Sequence, residues 1–99
     1  MAIQVSDNDD NVTLAIDGRF DFSQHREFSA AYRAFEKGSK SFLVDLSKVQ
    51  YMDSSAMGMV LQLRGHARRG GNDSVVLANP TPGVADILRI ANFEKLFTV

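Results

Sequence analysis

The sequence contains no cysteine, which excludes disulfide frameworks and thiolate metal sites and leaves the redox compartment unread. It has no excess of one charge. Eleven lysines and arginines stand against twelve aspartates and glutamates, for a net charge of -1. Nucleic-acid binding normally needs a basic excess to displace counterions, so that class is excluded as an expectation. No apolar run approaches the roughly 20 residues of a membrane-spanning helix, so direct membrane insertion is not expected. The opening Met1-Ala2-Ile3-Gln4-Val5 lacks a basic segment followed by an apolar stretch, so it does not read as a secretory signal, and a cytoplasmic location is the expectation that remains. Internal repeats, low-complexity stretches and linkers are also missing. What is present is 99 residues, 44% hydrophobic and 23% charged. That composition suits one soluble domain spanning residues 1–99, with little stability to spare.

Residues 2–6 alternate and then meet Asp7-Asn8-Asp9-Asp10-Asn11, whose short side chains bond their own backbone and favour a turn. Val12, Leu14 and Ile16 alternate with Thr13, Ala15 and Asp17, so a hairpin of two strands is predicted. Gly18-Arg19-Phe20-Asp21 is expected to break the second strand. From Ser23, Phe28, Ala31, Tyr32 and Phe35 recur at helical spacing, with Gly38 as a stop. Residues 42–46 form a short apolar run of the buried-strand type. A short loop then leads into a helix from Asp53 or Ser54 to about Arg69, ended by Gly70-Gly71-Asn72. Val75–Ala78 reads as a further buried strand. Thr81 and Pro82 open a last helix as cap and first residue, with Val84, Ile87, Leu88 and Ala91 on one face. The alternation after the hairpin predicts an α/β fold, one sheet with helices packed on one side.

The segment from Val44 to Ala67 carries the most chemistry. Asp53, Ser54 and Ser55 stand where a helix begins, and each type caps well because its oxygen accepts an orphan backbone N–H. On a helical wheel of about 100° per residue, Ala56, Val60, Leu63 and Ala67 form an apolar stripe. Ser55, Gly58, Gln62, Gly65, His66 and Arg69 gather opposite, with Met59 close to Ser55. Ser54 lies nearer the border and suits the capping role. Ser55 is therefore expected on an outward surface where two glycines cost about 1 kcal/mol each in helix propensity. Close approach of another chain is one use for that cost. A hydroxyl on a first helical turn is a workable phosphorylation site. The added charge of roughly -1.5 to -2 would be hard to desolvate inside an interface.

These residues resemble a known family. Val44-Asp45-Leu46-Ser47-Lys48-Val49-Gln50-Tyr51-Met52-Asp53-Ser54-Ser55-Ala56-Met57-Gly58 resembles the signature of STAS domains of the bacterial anti-sigma-factor antagonist group. Gly18-Arg19-Phe20-Asp21 and Asn92-Phe93-Glu94-Lys95-Leu96-Phe97 match its flanking segments. Ala56 and Met57 depart from the family's commoner glycine and leucine. The resemblance implies a mixed sheet of four or five strands with helices on one face. It implies that the unphosphorylated form binds an anti-sigma factor, of flagellar type in some members, and frees the sigma factor. A serine kinase would phosphorylate Ser55 and a PP2C-type phosphatase would reverse it. Asp53 would orient the loop and Asp21 would lie near the partner. Asp21, Asp53, Ser54, Ser55, Gly58, Met59 and Gln62 are the expected partner-binding residues. No catalytic residue, metal or cofactor is expected.

Rival readings are weighed on the same residues. A hydrolase built from Ser55, His66 or His25, and Asp53 fails on spacing. Eleven residues of helix separate Ser55 from His66, about 16 Å, beyond hydrogen-bond reach. Arg64, His66, Arg68 and Arg69 suit a helix C-terminus electrostatically, which is preferred over a basic contact site. His25 reads as a helix-surface residue. Phe20 and Phe22 read equally as core or as exposed binding aromatics. The acidic turn at residues 7–10 reads as a solvated loop, with calcium coordination the sharper alternative. A rival with the same fold is the cytoplasmic STAS accessory subunit of a lipid-transport ABC complex. The complete Asp53-Ser54-Ser55 run favours the phosphoswitch instead.

Overall fold

The computed structural model describes residues 3–67 and 74–93. Strands β1 (Ile3–Asn8) and β2 (Asn11–Phe20) form the expected hairpin, with Ile3 opposite Ile16 and Asn8 opposite Asn11. The two-residue turn closes because Asp9 adopts a φ of 61°, a region that short polar side chains tolerate. Lys40 pins this acidic turn, donating from Nζ to the Asp7 carboxylate at 3.2 Å and to the Asp9 carbonyl.

Strand β3 (Ser41–Met52) lies parallel to β2, and β4 (Val75–Ala78) lies parallel to β3. The described residues thus hold a mixed four-stranded sheet in the order β1-β2-β3-β4. Both central strands outrun the sequence expectation. The strand does not break at Gly18, which takes a φ of 84° and keeps the chain in the ladder up to Phe20. Nor does β3 stop at Leu46. It carries one extra residue against β2 between Asp45 and Lys48, and another between Val49 and Tyr51. These bulges stretch the spacing of buried side chains from two to three, giving Leu46, Val49 and Met52. A period of two is lost, and the segment reads as a loop.

Helix α1 (His25–Arg33) follows a 3-10 turn at Phe22–Gln24. It buries Phe28 and Tyr32, while Ala31 and Phe35 pack against the same core. The helix ends at Arg33. Gly38 comes later, at a φ of 82°, and donates its N–H to the His66 carbonyl at 2.9 Å. Helix α2 (Ser54–His66) buries Ala56, Met59, Val60 and Leu63. Arg68, Arg69 and the Gly70-Gly71-Asn72 stop lie outside the described residues. Helix α3 (Pro82–Ile90) buries Val84 and Leu88 and leaves Ala91 exposed. Thr81 precedes it but does not cap it with its side chain. Its hydroxyl donates to the Val49 carbonyl at 3.2 Å and ties α3 to the bulged part of β3. Phe93 is buried; the rest of the closing segment, residues 94–97, lies outside the described residues.

The helices cover one face of the sheet through Val12, Leu14, Ile16, Phe42, Val44, Leu46 and Leu77, all buried. Phe20 is fully buried at the end of β2, its ring 5.2 Å from that of Phe28. Burying such a side chain contributes about 1.5–3 kcal/mol, and here it fixes the strand end that presents Asp21. Among the described residues, no helix is long and apolar enough to cross a membrane.

Candidate functional site

The parallel strands β2 and β3 end in the same row, Phe20 opposite Met52. An aspartate follows each. Asp21 accepts the backbone N–H of Ser23 at 3.0 Å and caps the 3-10 turn. Asp53 keeps extended backbone angles and accepts the backbone N–H of Ala56 at 3.0 Å, which makes it the N-cap of α2. This corrects the assignment of the cap to Ser54. Because β3 stays extended through Met52, Asp53 is the last non-helical residue, and the cap must come from that position. Ser54 and Ser55 are the first two helical residues. Ser54 is exposed and Ser55 half-buried. Neither side-chain hydroxyl has a hydrogen-bond partner among the described residues.

Arg19 and Tyr51, which sequence reasoning did not single out, complete this rim together with Phe22. Arg19 donates to the Asp21 carboxylate at 3.2 Å and lies 4.4 Å over the Tyr51 ring, its register partner on β3. Phe22 is 66% exposed, and its ring stacks on His25 at 5.1 Å and 15°. The pair Phe20 and Phe22 therefore divides: Phe20 is core and Phe22 stands in the open beside Asp21. The signal for Arg19 and Tyr51 was available only in the register. They lie 32 residues apart in sequence, and the bulges in β3 set which residue faces Arg19. Electrostatically, the Ser23 hydroxyl and N–H, followed by Arg19, hold the Asp21 carboxyl below the usual carboxylate range. At Asp45 the backbone N–H of Ser47 does the same against a smaller opposing effect of burial.

Along α2, Gly58 and Gln62 are exposed as expected. Met59 is not on this surface: it is 4% exposed and belongs to the core. Its flank of the helix faces α1, and an isolated wheel carries no record of that neighbour. His66 is on the same flank. Its Nε2 lies 2.7 Å from the Phe35 carbonyl oxygen, and its ring packs edge-on against Tyr32 at 5.1 Å. It ties α2 to α1. Asp53 and Ser55 at one end of α2 and His66 at the other are not brought together. Among the described residues, no group of three or more histidine, aspartate or glutamate side chains could hold a metal ion. What the site offers is a capped helix entrance with free hydroxyls, rimmed by a carboxylate, a guanidinium and two exposed aromatic rings.

Comparison with known proteins shows the family and the fold. A family model described as "Mlab, STAS domain" matches residues 3–98. A STAS-domain containing protein of Pseudomonas aeruginosa (strain UCBPP-PA14) is 47% identical over 88 residues, which cover 89% of this chain and 86% of that relative. Among solved structures, the anti-sigma factor antagonist SpoIIAA in its unphosphorylated form superposes with a TM-score of 0.70 at 21% identity, covering 98% of this chain and 86% of that one. A putative anti-sigma factor antagonist of Thermotoga maritima gives 0.77 at 18% identity, covering 97% and 83%. Phosphorylated SpoIIAA of Bacillus gives 0.60 at 19% identity, covering 98% and 89%. At these identities the structural likeness is one of fold, and function has to be argued from the site.

Proposed function

The chain belongs to the STAS domain family, and from that premise we propose that it is an anti-sigma-factor antagonist switched by phosphorylation of Ser55. In this reading the chain is a one-domain cytoplasmic module and catalyses nothing itself. Its unphosphorylated form binds an anti-sigma factor and releases the sigma factor. A serine kinase adds the phosphate and a PP2C-type phosphatase removes it. Asp21, Asp53, Ser54, Gly58 and Gln62 surround the contact.

One observation carries the reading: the α2 cap is supplied by Asp53, so the Ser55 hydroxyl is not committed to holding the helix. Phosphate can be added without removing a cap. The new charge sits where backbone N–H groups point outward, and the positive end of α2 offsets part of the repulsion from Asp53. The host fold is therefore largely spared. A partner packed over Ser55 is not, because burying a dianion without a matched receptor is far costlier than burying a hydroxyl.

The test is capture from native cells with wild-type protein, Ser55→Ala and Ser55→Asp, with phosphosite mapping of the recovered chain. The expected result is phosphate on Ser55 and an anti-sigma factor held by wild type and Ser55→Ala but not by Ser55→Asp. Recovery of an ABC ATPase subunit in its place, or equal capture by all three, would overturn the proposal.

A further inference from the structure

Between α1 and α2 runs a shallow groove of about 340 Å³, lined by Tyr32, Arg33, Lys37, Gln62, Gly65 and His66. Its floor is rigid, since the Tyr32 and His66 rings pack at 60° and His66 is bonded to the Phe35 carbonyl. Its charge is of one sign. Arg33 and Lys37 are exposed, form no ion pair among the described residues, and share the lining with no carboxylate. The opposite wall is low because position 65 is glycine. A Cβ there would meet nothing within 4 Å, and the same holds for Gly58. The fold therefore asks for glycine at neither position, although each sits inside a helix where alanine is favoured. The missing side chains make room on the outside of the molecule.

We propose that this groove receives an acidic helix of the anti-sigma factor, with its carboxylates toward Arg33 and Lys37 and its backbone close over Gly65. This rests on the function proposed above. Charge complementarity selects the acidic partner, and an open trough between two helices fits a helix laid lengthwise. A small anion would gain no enclosure from two exposed cations. Gln62 and Gly65 lie on the same side of α2 as Ser55 and Gly58. Ten residues separate Gly65 from Ser55, about 15 Å along the axis, so a helix of three turns reaches from one to the other. Phosphate on Ser55 then meets an occupant of its own charge, and like-charge repulsion adds to the desolvation cost.

The test uses the full chain in its native cells, with the photo-crosslinker p-benzoylphenylalanine at position 65 or 33, and at position 54 as reference. The expected result is that all three capture one anti-sigma factor, and that positions 65 and 33 map to an acidic helical peptide of it. With that factor purified, the Arg33→Glu, Lys37→Glu double variant weakens binding at least tenfold at low salt and removes most of the salt dependence, with an unchanged melting curve. If position 54 captures the factor and positions 65 and 33 do not, the groove assignment falls while the function stands. Crosslinks from the groove to a second copy of this chain, or to a peptide without acidic residues, also overturn it. If no position captures an anti-sigma factor, the function and the groove fall together.

Discussion

Phe20 of β2 stands opposite Met52 of β3, and the residue after each is an aspartate that caps the next helical element. The chain solves the same local problem twice, side by side. A strand must turn into a helix at the end of a parallel pair, and a carboxylate takes up a backbone N–H that the first turn cannot satisfy. The candidate site is thus built at the end of the sheet's most extensive pairing.

Asp53→Ala is expected to lower stability by about 1 kcal/mol, the usual cost of losing a side-chain cap. Ser54→Ala, which removes an exposed hydroxyl and improves helix propensity, is expected to stay within about 0.5 kcal/mol of wild type. Urea denaturation of both variants checks the pair. The reverse ranking would restore Ser54 as the cap.

The contrast between these two residues shows where the sequence stops being legible. An aspartate and two serines in a row all suit a cap, and only the extent of β3 decides among them. That extent was hidden by two extra residues in β3, which turned a period of two into a spacing of three. Elements free of bulges were legible: the hairpin, Val75–Ala78, and the helix opened by Pro82. The placement of Ser55 at the helix entrance was legible as well, because composition and cap chemistry are local. Met59 was misplaced because a single wheel cannot show that α1 covers one flank of α2. Arg19 and Tyr51 meet only through the register.

Gly58→Ala and Gly65→Ala are each expected to raise stability, by up to about 1 kcal/mol, because alanine is the better helix former and its Cβ meets no neighbour. Chemical denaturation curves with unchanged slope provide the measurement. A loss of stability at either position would mean that the fold itself needs the glycine.

Ser55→Asp is expected to fold with stability equal to or slightly above wild type. A negative charge in the first turn of a helix is favourable by about 0.3–1 kcal/mol, less whatever Asp53 repels. Near-ultraviolet circular dichroism and thermal melts would show this. A variant that loses its tertiary signal would mean that phosphorylation acts by unfolding the module, not by blocking its surface.

Acid should weaken the fold through its two depressed carboxylates. Asp45 accepts the Ser47 backbone N–H at 3.0 Å, with the Ser47 hydroxyl and the Asn79 side chain assisting; Asp21 is held down mainly by Ser23. A carboxylate whose pKa is lower folded than unfolded adds stability above its unfolded value, about 3.9. That contribution is lost as pH falls through the lower folded value. Unfolding free energy is therefore expected to be flat with respect to these groups near neutrality and to drop below about pH 4. Both side chains reach solvent, so each contribution is small. Asp45→Asn keeps an oxygen for the Ser47 N–H but cannot ionise, so the acid limb should become shallower. Denaturation midpoints measured from pH 7 down to pH 3 decide it. Parallel acid limbs for wild type and Asp45→Asn would show that the Asp45 carboxylate has the same proton affinity folded and unfolded.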